Sequence, residues 1–86
     1  MTIQLRQSGV TWQVVGDDII VLDFDGSVYL KVNGSGGVLW DRLGEPATET
    51  DLVALLTERF GIDESLAASD VHAFLAELRR RDLVIG

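Results

Sequence analysis

Apolar and polar positions alternate with a period of two at the start of the chain: Val10, Trp12 and Val14 interleave with Thr11, Gln13 and Val15, which predicts a strand over residues 10–15. Gly16-Asp17-Asp18 punctuates it. A second apolar run over 19–24 (IIVLDF) and a third over 27–32 (SVYLKV) flank Asp25-Gly26, a dipeptide that favours tight hairpin turns. A two-residue turn there sets Asp23 opposite Val28, Val21 opposite Leu30 and Ile19 opposite Val32. One sheet face then carries five apolar side chains of six and is expected to pack on helices.

The period changes after Asn33-Gly34-Ser35-Gly36-Gly37, which ends the sheet. Val38, Leu39, Trp40 and Leu43 recur at helical spacing, predicting a short helix over about 35–43 with Gly44 as its stop. Thr48 followed by Asp51 resembles a capping box, and Leu52, Val53, Leu55, Leu56 and Phe60 form an apolar stripe ended by Gly61, so a second helix is expected over 49–60. A third, over about 65–81, buries Leu66, Val71, Phe74, Leu75 and Leu78 and ends in Arg79-Arg80-Arg81, favourable beside a helix C-terminus. Residues 83–85 are expected to close the chain as a small strand or a core plug. Three antiparallel strands followed by three helices predict an α+β, winged-helix-turn-helix-like fold, in one domain over residues 1–86.

Composition narrows the chemistry. The absence of cysteine removes disulfides, thiol catalysis, zinc–thiolate sites and iron–sulfur clusters, and suits a reducing cytoplasm. No apolar run approaches the ~20 residues of a bilayer span, and the first residues lack the basic start and apolar stretch of an export signal. A cytoplasmic protein is expected. The net charge of −7 repels phosphate backbones and attracts cationic ligands, and eight acidic residues against two arginines fall between positions 41 and 70.

Candidate catalytic groups do not assemble. His72 is the single histidine, without the companions of a transition-metal site, and reads as an ordinary helix residue. The pairs Asp17/Asp18, Asp23/Asp25 and Asp63/Glu64 lie where turns and helix starts favour carboxylates, and no calcium-loop spacing is present. The glycine-rich 33–37 segment lacks the Lys-Ser/Thr of a phosphate-binding loop and reads as a strand-to-helix corner. Trp12 and Trp40 fall at core positions, whereas Tyr29, opposite in face to Val28, Leu30 and Val32, is a candidate ligand contact. Neither an enzyme nor a cofactor is implied.

What remains is a sheet edge. In a three-stranded meander the third strand keeps one unpaired row of backbone N–H and C=O groups, a template for an incoming strand. Lys31 guards it, unless residues 83–85 cover it.

The ordered set Val10-Thr11-Trp12, 18–23 (DIIVLD), Asp25-Gly26, 29–33 (YLKVN), Gly36, Trp40 with Leu43, Leu52-Val53 with Leu56, Asp70-Val71 with Phe74-Leu75, Leu78 and Leu83-Val84 resembles the PqqD family over nearly the whole chain. Members of that family are recognition elements for precursor peptides of ribosomally made, modified natural products. The resemblance implies a non-catalytic domain that captures a precursor's leader segment as an antiparallel strand on its third strand. Val28, Leu30 and Val32, with Tyr29 and Lys31 between them, would supply the strand side of the groove. Val71, Phe74, Leu75 and Leu78 would supply the helix side, and Asp70 would pair with a polar or basic leader group.

Two settings within the family fit. One is lasso-peptide biosynthesis, with a leader-cutting cysteine protease and an ATP-dependent macrolactam synthetase (the lasso cyclase) as partners. The other is the pyrroloquinoline quinone pathway, where the precursor is presented to a radical-SAM enzyme. The free-standing length favours the first, with the protein a monomer. Outside the family, two readings stand: a winged-helix DNA-binding domain using Arg79-Arg80-Arg81, and a subunit that dimerises through its edge strand.

Overall fold

The computed structural model describes residues 1–6, 8–23 and 28–86, with the backbone alone at Asp23, Val28 and Tyr29. The elements run β1 (Gln4–Leu5), β2 (Val10–Val15), β3 (Asp18–Asp23), β4 (Val28–Asn33), α1 (Gly34–Arg42), α2 (Glu49–Phe60), α3 (Glu64–Arg80) and β5 (Val84–Ile85). The architecture is α+β: an antiparallel sheet ordered β2-β3-β4, then three helices, with β1 and β5 forming a separate antiparallel pair. The Asp25-Gly26 turn and the predicted strand ends at Phe24 and Ser27 lie outside the described residues.

Cross-strand pairing aligns Ile19 with Val32 and Val21 with Leu30, as the alternation requires. The expected pairing of Asp23 with Val28 does not form. The register shifts between Val21 and Leu22, passing over Tyr29, so Leu22 lies opposite Val28. Such a bulge puts one extra residue into β4 and sharpens the local twist.

Strand passes to helix without a loop. Asn33 ends β4 and occupies the N-cap position of α1, and Gly34, at φ +55°, makes the reversal in a single residue. Helix α1 ends at a right-handed Leu43, so Gly44 is not the left-handed stop its sequence position suggests. At α2 the local signals act as expected. Thr48 accepts from the Asp51 amide at 3.1 Å, the Asp51 carboxylate accepts from the Thr48 amide at 3.0 Å, and Gly61 closes the helix at φ +66°. Asp63 caps α3 by accepting from the Leu66 amide at 2.8 Å.

The inner sheet face and the three helices enclose a core that includes Val21, Leu39, Trp40, Leu43, Leu52, Leu56, Val71, Leu75, Leu78 and Leu83. Three expected core residues lie nearer the surface. Phe60 is 45% exposed, Leu66 50% and Trp12 36%, Trp12 meeting Trp40 in an edge-to-face contact with centroids 5.4 Å apart. Ala67, one residue beyond Leu66, is the buried position of the first turns of α3.

The N-terminal segment carries structure that its pattern scarcely announced. Ile3 and Leu5 are buried, Ile3 exchanges backbone hydrogen bonds with Ala47, and the Leu5 amide donates to Leu43 O at 2.9 Å. No described helix is long and apolar enough to cross a membrane.

Candidate functional site

Among the described residues β4 has a partner strand on one side only, because the sheet ends there. Residues 83–85 do not cover that edge: Val84 and Ile85 pair with Leu5 and Gln4 instead. Lys31 is exposed, and its ammonium lies 3.4 Å from Asp18, across β3 and away from the open edge. A row of backbone groups therefore faces outward from β4.

Beside this edge stands α3. Phe74 is half-buried and lies near Gly36 of α1: a Cβ on Gly36 would stand 3.3 Å from Phe74 Cε1 and 3.8 Å from Val32 Cβ. Bare backbone at Gly36 thus forms the floor between strand and helix. Leu30, also half-buried, packs on the core from the strand side. Among the described residues of β4 and α3, Leu30 and Phe74 are apolar side chains that pack on the core while remaining partly exposed.

The remaining candidates separate by burial. Val71, Leu75 and Leu78 are fully buried, and Val32 nearly so. They belong to the core that holds α3 and β4 in place. Helical spacing puts Asp70, Glu77 and Arg81 on the Phe74 side of α3, and all three are half-buried like Phe74. For Val28 and Tyr29 the structure gives backbone position within β4.

Glu77 is absent from the residues singled out in the sequence, where Arg81 figures only as part of the basic cluster. Arg81 Nε donates to Glu77 Oε1 at 2.6 Å, and Arg80 donates to the other carboxylate oxygen. These bonds, that from Arg81 first, hold the Glu77 carboxyl below its usual range. The signal was available as acid and base at i,i+4 near a helix C-terminus. The groove wall so made offers an apolar ring flanked by charge and backbone hydrogen-bonding groups, a constellation for binding an extended chain. Among the described residues no group of three or more His, Asp or Glu side chains could hold a metal ion.

The family model for coenzyme PQQ synthesis protein D (PqqD) matches residues 18–84. The fold is similar to that of TbiB1, solved in complex with the TbiA(beta) leader peptide, with a TM-score of 0.83 and 19% identity over 96% of this chain and 95% of that one. It is also similar to a lasso peptide synthetase B1 complexed with the leader peptide, with a TM-score of 0.79 and 18% identity over 98% of each chain. The sequence has no significant match among curated proteins.

Proposed function

Because the chain belongs to the PqqD family, we propose that it is a non-catalytic recognition protein that binds the leader segment of a ribosomal precursor peptide as an antiparallel strand on β4. The observation that carries this reading is the open β4 edge beside Leu30 and Phe74, with the C-terminal strand engaged elsewhere. Four or five added backbone hydrogen bonds at ~0.5–1.5 kcal/mol each, with one or two apolar anchors at ~1.5–3 kcal/mol, offset several kcal/mol of peptide ordering. A dissociation constant between ~10 nM and ~10 µM follows. The net charge of −7 favours a basic leader, mainly through association rate and orientation.

The setting we propose is lasso-peptide biosynthesis, with the bound precursor delivered to a leader-cutting cysteine protease and a macrolactam synthetase by raised effective concentration. Similarity in fold to a lasso peptide synthetase B1 complexed with the leader peptide, over almost the full length of both chains, supports it. Presentation of a precursor to a radical-SAM enzyme in quinone-cofactor synthesis is the second reading, supported by the family model that matches.

The test is a fluorescence-polarisation titration with the leader peptide encoded by the small open reading frame beside the gene. Saturable binding that disappears in Leu30→Glu, with the circular dichroism spectrum unchanged, is expected. Binding that survives in the folded variant would show that the peptide lies elsewhere.

A further inference from the structure

A second concavity, of about 950 Å³, opens between the β2–β3 turn and helices α1 and α2. Its size is that of a ligand cleft. Its walls include Val14 and Phe60, which are 71% and 45% exposed and so offer apolar surface to a ligand. Val14 shares the inner sheet face with Ile19, its partner across β2 and β3. The cleft also reaches Asn33 and Gly34, the last residue of β4 and the first of α1. It therefore begins where the open edge ends.

We propose that this cleft receives the residues of the precursor peptide immediately upstream of its strand-forming segment. The inference rests on the strand-addition reading above, which sets the polarity. A strand antiparallel to β4 enters beside Asn33 and leaves beside Val28, so its N-terminal extension emerges at the mouth of the cleft. Strands lie ~4.8 Å apart and an extended chain advances ~3.3 Å per residue, so about four or five further residues pass β4 and β3 to reach Val14 on β2.

Charge indicates what those residues carry. At the rim Asp18 is shared with Lys31, and Arg42 is held near Asp51 while donating to the carbonyls of Glu45 and Pro46. Asp17 and Asp41 line the same cleft and have no ion-pair partner among the described residues, with Arg59 as the opposing charge. In a chain of net charge −7 this rim suits an apolar side chain seated against Val14 and Phe60, followed toward the N-terminus by lysine, arginine or the terminal amine. The same net charge disfavours a second copy in that place.

The experiment titrates the labelled full-length leader and a series trimmed stepwise from its N-terminus against the wild-type protein, Val14→Ser and Phe60→Ser. Both substitutions fall on exposed positions, and thermal melts verify the fold. The expected result is a loss of about five- to tenfold in affinity on removing the upstream residues. Each variant should show a similar loss with the full leader and none with the trimmed one. Equal weakening of both peptides, or no effect of trimming, overturns the assignment while leaving strand addition intact. Dependence on Val14 and Phe60 that vanishes on C-terminal trimming overturns it by reversing the polarity. A peptide-free dimer dissociated by Val14→Ser would place a second copy in the cleft and overturn it as well. Failure of wild-type protein to bind any leader overturns strand addition, and the cleft assignment with it.

Discussion

Phe74 lies over Gly36: a methyl group at position 36 would stand 3.3 Å from the edge of the Phe74 ring and 3.8 Å from Val32 Cβ, so a side chain there would push the ring by a few tenths of an ångström. Gly36→Ala opposes two effects. Alanine gains up to ~1 kcal/mol over glycine in a helix, while displacing the ring by a few tenths of an ångström strains its rotamer by ~0.5–1.5 kcal/mol. We expect a melting temperature within a few degrees of wild type and a clear loss of leader affinity, read by polarisation. Unchanged affinity would show that the peptide does not touch this ring.

The wall of the groove is expected to soften in acid. Hydrogen bonds from Arg81 and Arg80 depress the Glu77 carboxyl, and those of the capping box depress Asp51 below its usual range. A depressed folded-state value means that the stabilisation is fully present above the unfolded values of 4.5 and 3.8, and is lost as pH falls through the folded ones. Melting temperature should therefore be flat toward neutrality and fall in acid, with a shallower fall in Glu77→Gln. An identical acid profile in that variant would remove Glu77 from the account.

Nucleic-acid binding is expected to be absent. Arg80 and Arg81 engage Glu77, and Arg79 lies 4.0 Å from Glu49 and donates to Gly86 O, so the basic cluster is paired with acids or backbone. Phosphate contacts would have to break these pairs against a net charge of −7. An electrophoretic shift of duplex DNA at low salt would contradict this.

Local rules account for what the sequence disclosed. The Thr48–Asp51 box and the Gly61 stop involve neighbours in the chain, and both form as read. The shift between Val21 and Leu22 reflects how two strands settle against the helices, and no residue type announces it. Helical periodicity identified the stripes of α2 and α3 but not their width, which is why Phe60 and Leu66 emerge at the surface. Val71, Leu75 and Leu78 share a face of α3 near Phe74, and only packing separates the half-buried ring from the buried aliphatics.

The N-terminal strand leaves no periodic signal, since two residues give barely one alternation. Its contacts predict that it is indispensable. Leu5 is fully buried, its amide donates to Leu43 O, and the adjoining Arg6 amide donates to Leu83 O at 2.8 Å, so one short segment ties the end of α1 to the C-terminal strand. The Arg6–Asp82 ion pair at 3.2 Å is exposed on the Asp82 side and adds at most ~1 kcal/mol. Burial of the leucine outweighs it: Leu5→Ala should cost ~2–5 kcal/mol, whereas Asp82→Ala, although it alters a residue at φ +58°, removes no core volume. Urea unfolding read by tryptophan fluorescence measures both. Because Leu5 pairs through β5 rather than through β4, the folded fraction of Leu5→Ala should bind leader with wild-type affinity. A weakened affinity per folded molecule would show instead that the N-terminal strand governs the open edge.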